Sequence, residues 1–304
     1  MQNTPRLAPS RSLATFSLGV ALFLPSLHSA TLYQTVDQAG GGTGTNWTEA
    51  IWGPGPAAAT AGNDYISENM TLRTSNNSGA TLFPGDSLTM INSTLIFRRA
   101  SSANFILDNA VFNAVANSAI GGTMLLAEGK VADFNTNGRT PTLTATLSGG
   151  GAFTKSGSGT LMVDNADNTF HGTWIVAANT LTSATAGSFD TTGLFDVTGG
   201  TLDINYNFDG SGTALVLSGT GKFDLTGGFN HTFASLTIAG TSLSSGTYSF
   251  ADLDTDQQAY FTDGGDTFTV APIPEPSTYA LLLGGGALAL AAQRRGKRST
   301  APRS

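Results

Sequence analysis

Between residues 81 and 247 the chain is written in short apolar runs with polar residues between them, broken by Gly-Gly, Ser-Gly and Asp-Asn pairs. Leu215-Val216-Leu217 and Phe223-Asp224-Leu225 are typical runs. Short runs bounded by turn residues predict β-strands. Apolar residues that open such runs recur at Leu88, Phe105, Met124, Leu143, Leu161, Leu181, Leu202 and Phe223, in steps of 17 to 21 residues. A period near 20 with Gly and Asn turns predicts a solenoid in which each rung stacks on the one before it. A β-sandwich of hairpins is the rival, because strand spacing near ten residues fits both. The expected fold is all-β: a parallel β-helix, or β-solenoid, of about 20-residue rungs.

The ends follow a different pattern. Arg6 and Arg11 precede the apolar stretch Leu13–Leu24, then Pro25 and the small residues Ser29 and Ala30. That order predicts a secretory signal helix over residues 1–30, cleaved after Ala30, with the Sec translocon and signal peptidase as partners. At the other end Pro274-Glu275-Pro276 leads into the apolar segment Tyr279–Ala292 and then Arg294, Arg295, Lys297 and Arg298. Fourteen residues of helix span roughly 21 Å, short of a hydrocarbon core of about 30 Å. Snorkelling arginines and an interfacial Tyr279 reduce the shortfall. A transmembrane helix over 279–292 is therefore expected, with its basic cluster cytoplasmic and the body on the far side.

The expected organisation is a signal peptide (1–30), an N-terminal cap (31–80), the solenoid (81–247), a C-terminal cap or stalk (248–271), a sorting segment (272–298) and a tail (299–304).

Pro274-Glu275-Pro276, a short apolar helix and a terminal basic cluster together resemble the PEP-CTERM protein-sorting signal of Gram-negative bacteria. The resemblance implies an exosortase partner that cuts near Pro274-Glu275-Pro276. It also implies transient anchoring in the inner membrane, then release to the cell surface or extracellular matrix. The three motif residues would be read by another enzyme. Residues 151–181 resemble the autotransporter-associated β-strand repeat, which implies a right-handed parallel β-helix. Asn179 stands where that repeat usually has Gly, a position Asn tolerates in the left-handed conformation.

Composition narrows the chemistry. The chain has no cysteine, which excludes disulfides, thiolate metal sites and a cysteine nucleophile. Of its 14 basic residues, seven lie in 31–276 (Arg73, Arg98, Arg99, Lys130, Arg139, Lys155, Lys222), together with all 21 acidic residues. The exported part thus carries −14, which disfavours nucleic acid and anionic lipid as partners. His171 and His231, each beside a turn, are expected to be solvated. No phosphate loop, nucleophile elbow or paired-histidine metal motif appears. Asp252, Asp254 and Asp256 open like a calcium loop. Gln257 and Asp263 depart from it at positions six and twelve, and a solvated acidic loop is the alternative. No cofactor other than calcium is suggested. Trp47 and Trp52 are candidates for stacking on carbohydrate, with packing in the cap as the alternative. The function expected is a non-catalytic surface or matrix protein, structural or adhesive, that contacts exopolysaccharide. A carbohydrate-active lyase or hydrolase exported by the same route is the alternative.

Overall fold

The structure, a computed structural model, describes residues 30–39, 46–76, 81–190 and 192–272. Its strands form two long sheets, one of 14 strands and one of 12, and nearly all pairings are parallel. Each rung gives one strand to each sheet, so the chain winds as a β-solenoid. Parallel pairing across connections of about a rung rules out the hairpin sandwich.

The repeat length can be read from the register. In the second sheet Ala152 pairs with Thr173, and Thr173 with Leu194, steps of 21 residues. Alternation along each strand sends every second side chain inward. Ser101–Asp108 and Ala110–Ala114 show this directly, with buried positions separated by accessible ones. Like side chains therefore stack in columns through the core. One column runs Phe153, Trp174, Phe195, Leu215 and Leu236, all buried. Each such side chain contributes about 1.5–3 kcal/mol by leaving water.

Most residues predicted to open rungs are true neighbours. Leu88 pairs with Phe105 and Phe105 with Met124. Leu161, Leu181, Leu202 and Phe223 form a second unbroken series. Leu143 is buried but out of step: the partner of Met124 is Leu147. The cause is a longer rung: Thr142 and Leu143 pair with Ala119 and Ile120, and Thr146–Ser148 with Thr123–Leu125, 23 residues apart throughout, against 19 in the rung before.

Corners between the sheets need left-handed backbone. Asn69, Asn92 and Asn109 supply it at three successive corners (φ 54°, 47° and 53°), and Asn109 Nδ2 donates to Asn92 Oδ1 at 2.8 Å. Asn179 also lies in this region, at φ 50°, as its sequence position suggested. At Gly172 close approach, not φ, requires glycine: a Cβ there would sit 2.0 Å from Gly151 O.

The ladder extends beyond the expected 81–247. Asn63–Glu68 and Thr71–Arg73 already belong to the two sheets, and Phe261–Thr262 and Thr267–Val270 continue them. Residues 30–39 and 46–60 cover the first rung. The edge strand Thr71–Arg73 is closed by Gln38 N and Trp47 N, which donate to Thr71 O and Arg73 O at 3.0 and 2.8 Å. Asp37 and Gln38 side chains accept from Thr71 N and Arg73 N, both at 2.8 Å. A sheet edge so occupied offers no template for another strand.

Candidate functional site

The C-terminal end of the solenoid carries the segment that the sequence singles out, so its construction matters most. Thr267–Val270 lies between two strands: parallel to Asn230–Ile238 on one side and antiparallel to Gly246–Ser249 on the other. The chain reaches it by an excursion through Phe250–Asp252 and the short helix Thr255–Gln258. Ala271 N then donates to Phe233 O at 2.8 Å, the last backbone bond before Pro272. Whatever follows is thus tied to a strand held on both sides.

Asp266 fastens this junction. Its Oδ1 accepts from Gly228 N and from Phe229 N (2.8 Å), and its Oδ2 lies 3.2 Å from His231 Nε2. Both side chains are fully buried. His231 is therefore not the solvated turn histidine expected from sequence: it is an inward residue of the strand Asn230–Ile238, its ring edge-to-face with Phe223 at a centroid distance of 5.0 Å. The Asp266 contact requires the proton on Nε2, while Nδ1 is buried without a partner. Burial lowers the pKa of His231, and the carboxylate of Asp266 opposes the shift without reversing it. A neutral imidazole in this setting is a fastening. The sequence signal that could have found it was the alternation placing His231 inward.

The three aspartates proposed for calcium have separate local settings. Asp252 Oδ2 accepts from Ser249 N and Oγ, both at 2.7 Å, and these bonds lower its pKa. Asp254 caps the helix by accepting from Gln257 N at 2.9 Å, while Asp256 lies in the helix's first turn. Among the described residues no group of three or more metal-ligating side chains comes together. Asp252 and Asp254 thus each serve a local cap.

Trp47 and Trp52 are likewise corrected. Both are 0% exposed. Trp52 Nε1 donates to Trp47 O at 3.0 Å, and its ring meets Tyr65 edge-on at 4.9 Å. No indole face is open to a sugar, and the pair forms the core beneath the first rung. His171, by contrast, is exposed, with Nδ1 3.3 Å from Thr169 O.

One buried charge escaped the sequence reading. Lys155 stands in an inward column between Phe134 and Val176 and is 0% exposed. Its Nζ donates to Gly157 O (2.8 Å) and Ala178 O (2.7 Å), carbonyls that the sharp corners turn inward. Burial lowers its pKa to about 8, against a smaller pull from Asp133. Burial also raises the pKa of Asp133.

Ala30 opens the strand Ala30–Tyr33, and its N donates to Asn63 Oδ1 at 3.2 Å. Residues 1–29 of the expected leader lie outside the described residues. So do Pro274, Glu275, Pro276, the segment 279–292, and Arg294, Arg295, Lys297 and Arg298. Among the described residues no helix is long and apolar enough to cross a membrane.

Comparison with known families supplies the class. Residues 272–295 match the model of the PEP-CTERM protein-sorting motif. No curated protein and no solved structure matches the chain. The chain is therefore a β-solenoid that carries a PEP-CTERM sorting motif. The motif implies an exosortase as processing partner, and export to a membrane-anchored surface location in a Gram-negative bacterium. The resemblance of 151–181 to the autotransporter-associated repeat rests on sequence alone.

Proposed function

We propose that the protein is a non-catalytic component of the cell surface or extracellular matrix, structural or adhesive, released there after cleavage near Pro274-Glu275-Pro276. The observation that carries this reading is the position of the sorting motif. It begins at residue 272, directly after a strand locked between two neighbours, so cleavage would free an intact solenoid. Residues 271–278, fully extended, span at most about 28 Å, which would hold the body close to the membrane until release. A stack of rungs with the N-terminal edge of one sheet closed suits a spacer or a contact surface better than a pocket enzyme. The absence of cysteine suits an exported chain that folds without oxidation.

The test separates binding from turnover. The purified protein is incubated with acidic and neutral polysaccharides while its thermal unfolding and any released reducing ends or unsaturated products are followed. Stabilisation without product supports the proposal. Turnover that disappears on replacing an aspartate would assign a carbohydrate-active enzyme instead.

A further inference from the structure

The solenoid body is strongly acidic, yet four of its seven basic residues lie at neighbouring corners near its N-terminal end. Arg73 ends Thr71–Arg73, Arg98 and Arg99 follow Thr94–Phe97, and Arg139 follows Val131–Asn135. The intervening rung contributes Val115, Ala116 and Asn117 between them. Arg98, Arg99 and Arg139 line one open hollow of about 480 Å³ with Asn76 and Asn117, and no carboxylate lines it. Among the described residues the salt bridges are Lys130–Asp108 and His231–Asp266, and neither engages these three guanidiniums. Arg73 is partly engaged, donating from Nη2 to Ala39 O at 3.1 Å.

Three like charges gathered in one hollow repel one another, and an anion placed among them relieves that repulsion. Burial and then the neighbouring Arg73 lower the pKa of Arg98, while Glu49 opposes this. The arginines stand two rungs apart, about 10 Å along the axis. That spacing of the backbone sites matches a chain bearing charges at intervals along the axis. The floor is polar: Asn117 Oδ1 accepts from Thr140 N at 2.8 Å, and the Asn117 amide nitrogen remains as a donor suited to hydroxyl groups.

We propose that Arg98, Arg99 and Arg139, with Asn76 and Asn117, bind a carboxylate-bearing polysaccharide laid along the solenoid axis. The fork of each guanidinium takes a carboxylate in bidentate fashion, and the amides take ring hydroxyls. Duplex nucleic acid is a poorer fit, because its dense charge would meet the acidic remainder of the body. This site deepens the surface-adhesion reading and rests on it for its biological setting, but not for its chemistry.

The experiment uses the full chain purified in detergent and titrated with polygalacturonate, dextran, duplex DNA and anionic lipid vesicles. Polygalacturonate is expected to bind, dextran not to bind, and binding to weaken as salt rises from about 0.05 to about 0.5 M. The triple variant R98Q/R99Q/R139Q is expected to lose about tenfold or more in affinity, since even one lost charge-assisted contact carries about that factor. The lysine variant R98K/R99K/R139K keeps the charge and is expected to retain part of the binding. K222Q, at an exposed lysine elsewhere, is expected to bind as wild type does. Unfolding temperatures of all variants confirm that the fold is intact. Absent polygalacturonate binding, unchanged affinity in the triple glutamine variant, or equal binding of DNA or vesicles would overturn the proposal. Surface sorting is read separately from cell fractions, so failure here leaves that reading standing.

Discussion

Replacing Asp266 by alanine should unfasten the last rung without dissolving the rest of the solenoid. The wild-type carboxylate accepts from Gly228 N, Phe229 N and the His231 imidazole, in a place where its side chain has no access to water. Each buried donor left without an acceptor costs about 1–3 kcal/mol, and some water will enter the space the carboxylate leaves. A loss of about 4 kcal/mol follows, large against a usual total of about 5–15. A solenoid's stability is a sum over neighbouring rungs, so this loss should stay local. Hydrogen exchange is the assay. Amides of 231–233 and 268–271 should exchange about a thousandfold faster, while those of the strands Ala152–Ser156 and Thr173–Val176 stay protected. Asp266→Asn, which keeps one acceptor oxygen, should lose less. If Asp266→Ala leaves exchange at the last rung near wild type, or weakens every rung equally, the fastening role is refuted.

Other expectations follow from the same packing. Lys155 has a folded pKa near 8 against an ordinary 10.5, so its charge opposes folding fully below pH 8. Stability should rise by roughly 3 kcal/mol from pH 8 to pH 10.5, and in Lys155→Met that rise, followed by urea denaturation, should vanish. His231 has a lowered pKa, so its contribution is present above the ordinary histidine range and lost as pH falls below it. Hydrogen exchange at 231–233 should accelerate in mild acid, and less so in His231→Gln. Gly172→Ala forces a Cβ against Gly151 O and should cost several kcal/mol by thermal melting. Gly55→Ala meets nothing within 4 Å and should be close to neutral. Trp52→Ala should cost about 3–5 kcal/mol through the cavity it leaves, with carbohydrate affinity unchanged in whatever fraction stays folded.

Much of the fold was legible because a solenoid repeats one local rule. Stacking of like side chains makes the period visible, and Leu161, Leu181, Leu202 and Phe223 are paired as their spacing suggests. Leu143 misled because its rung is 23 residues long against 19 in the rung before, which places it opposite Ile120. Lys155 and His231 look like surface residues in sequence. Only the third dimension supplies the carbonyls and the carboxylate that let them sit in apolar columns. The spacing of Asp252, Asp254 and Asp256 suggested shared work, but each carboxylate is drawn to its own nearest backbone or hydroxyl donor or left to solvent. The arginine hollow was hidden for the opposite reason, since Arg98 and Arg139 are far apart in the chain and neighbours only across rungs. The sorting motif was plain from residue order alone, because a membrane enzyme reads it as a linear signal.

The central claim is that a finished solenoid is delivered and then cut free at its C-terminal motif. The most direct measurement is the intact mass of the protein recovered from the surface of its native cell, beside a variant with Pro274, Glu275 and Pro276 all replaced by alanine. The account predicts a wild-type species running from near residue 31 to near residue 276, and a variant held in the membrane at larger mass. Wild-type protein that keeps Arg294–Arg298 and fractionates as the variant does would contradict it, leaving the tail as an anchor alone.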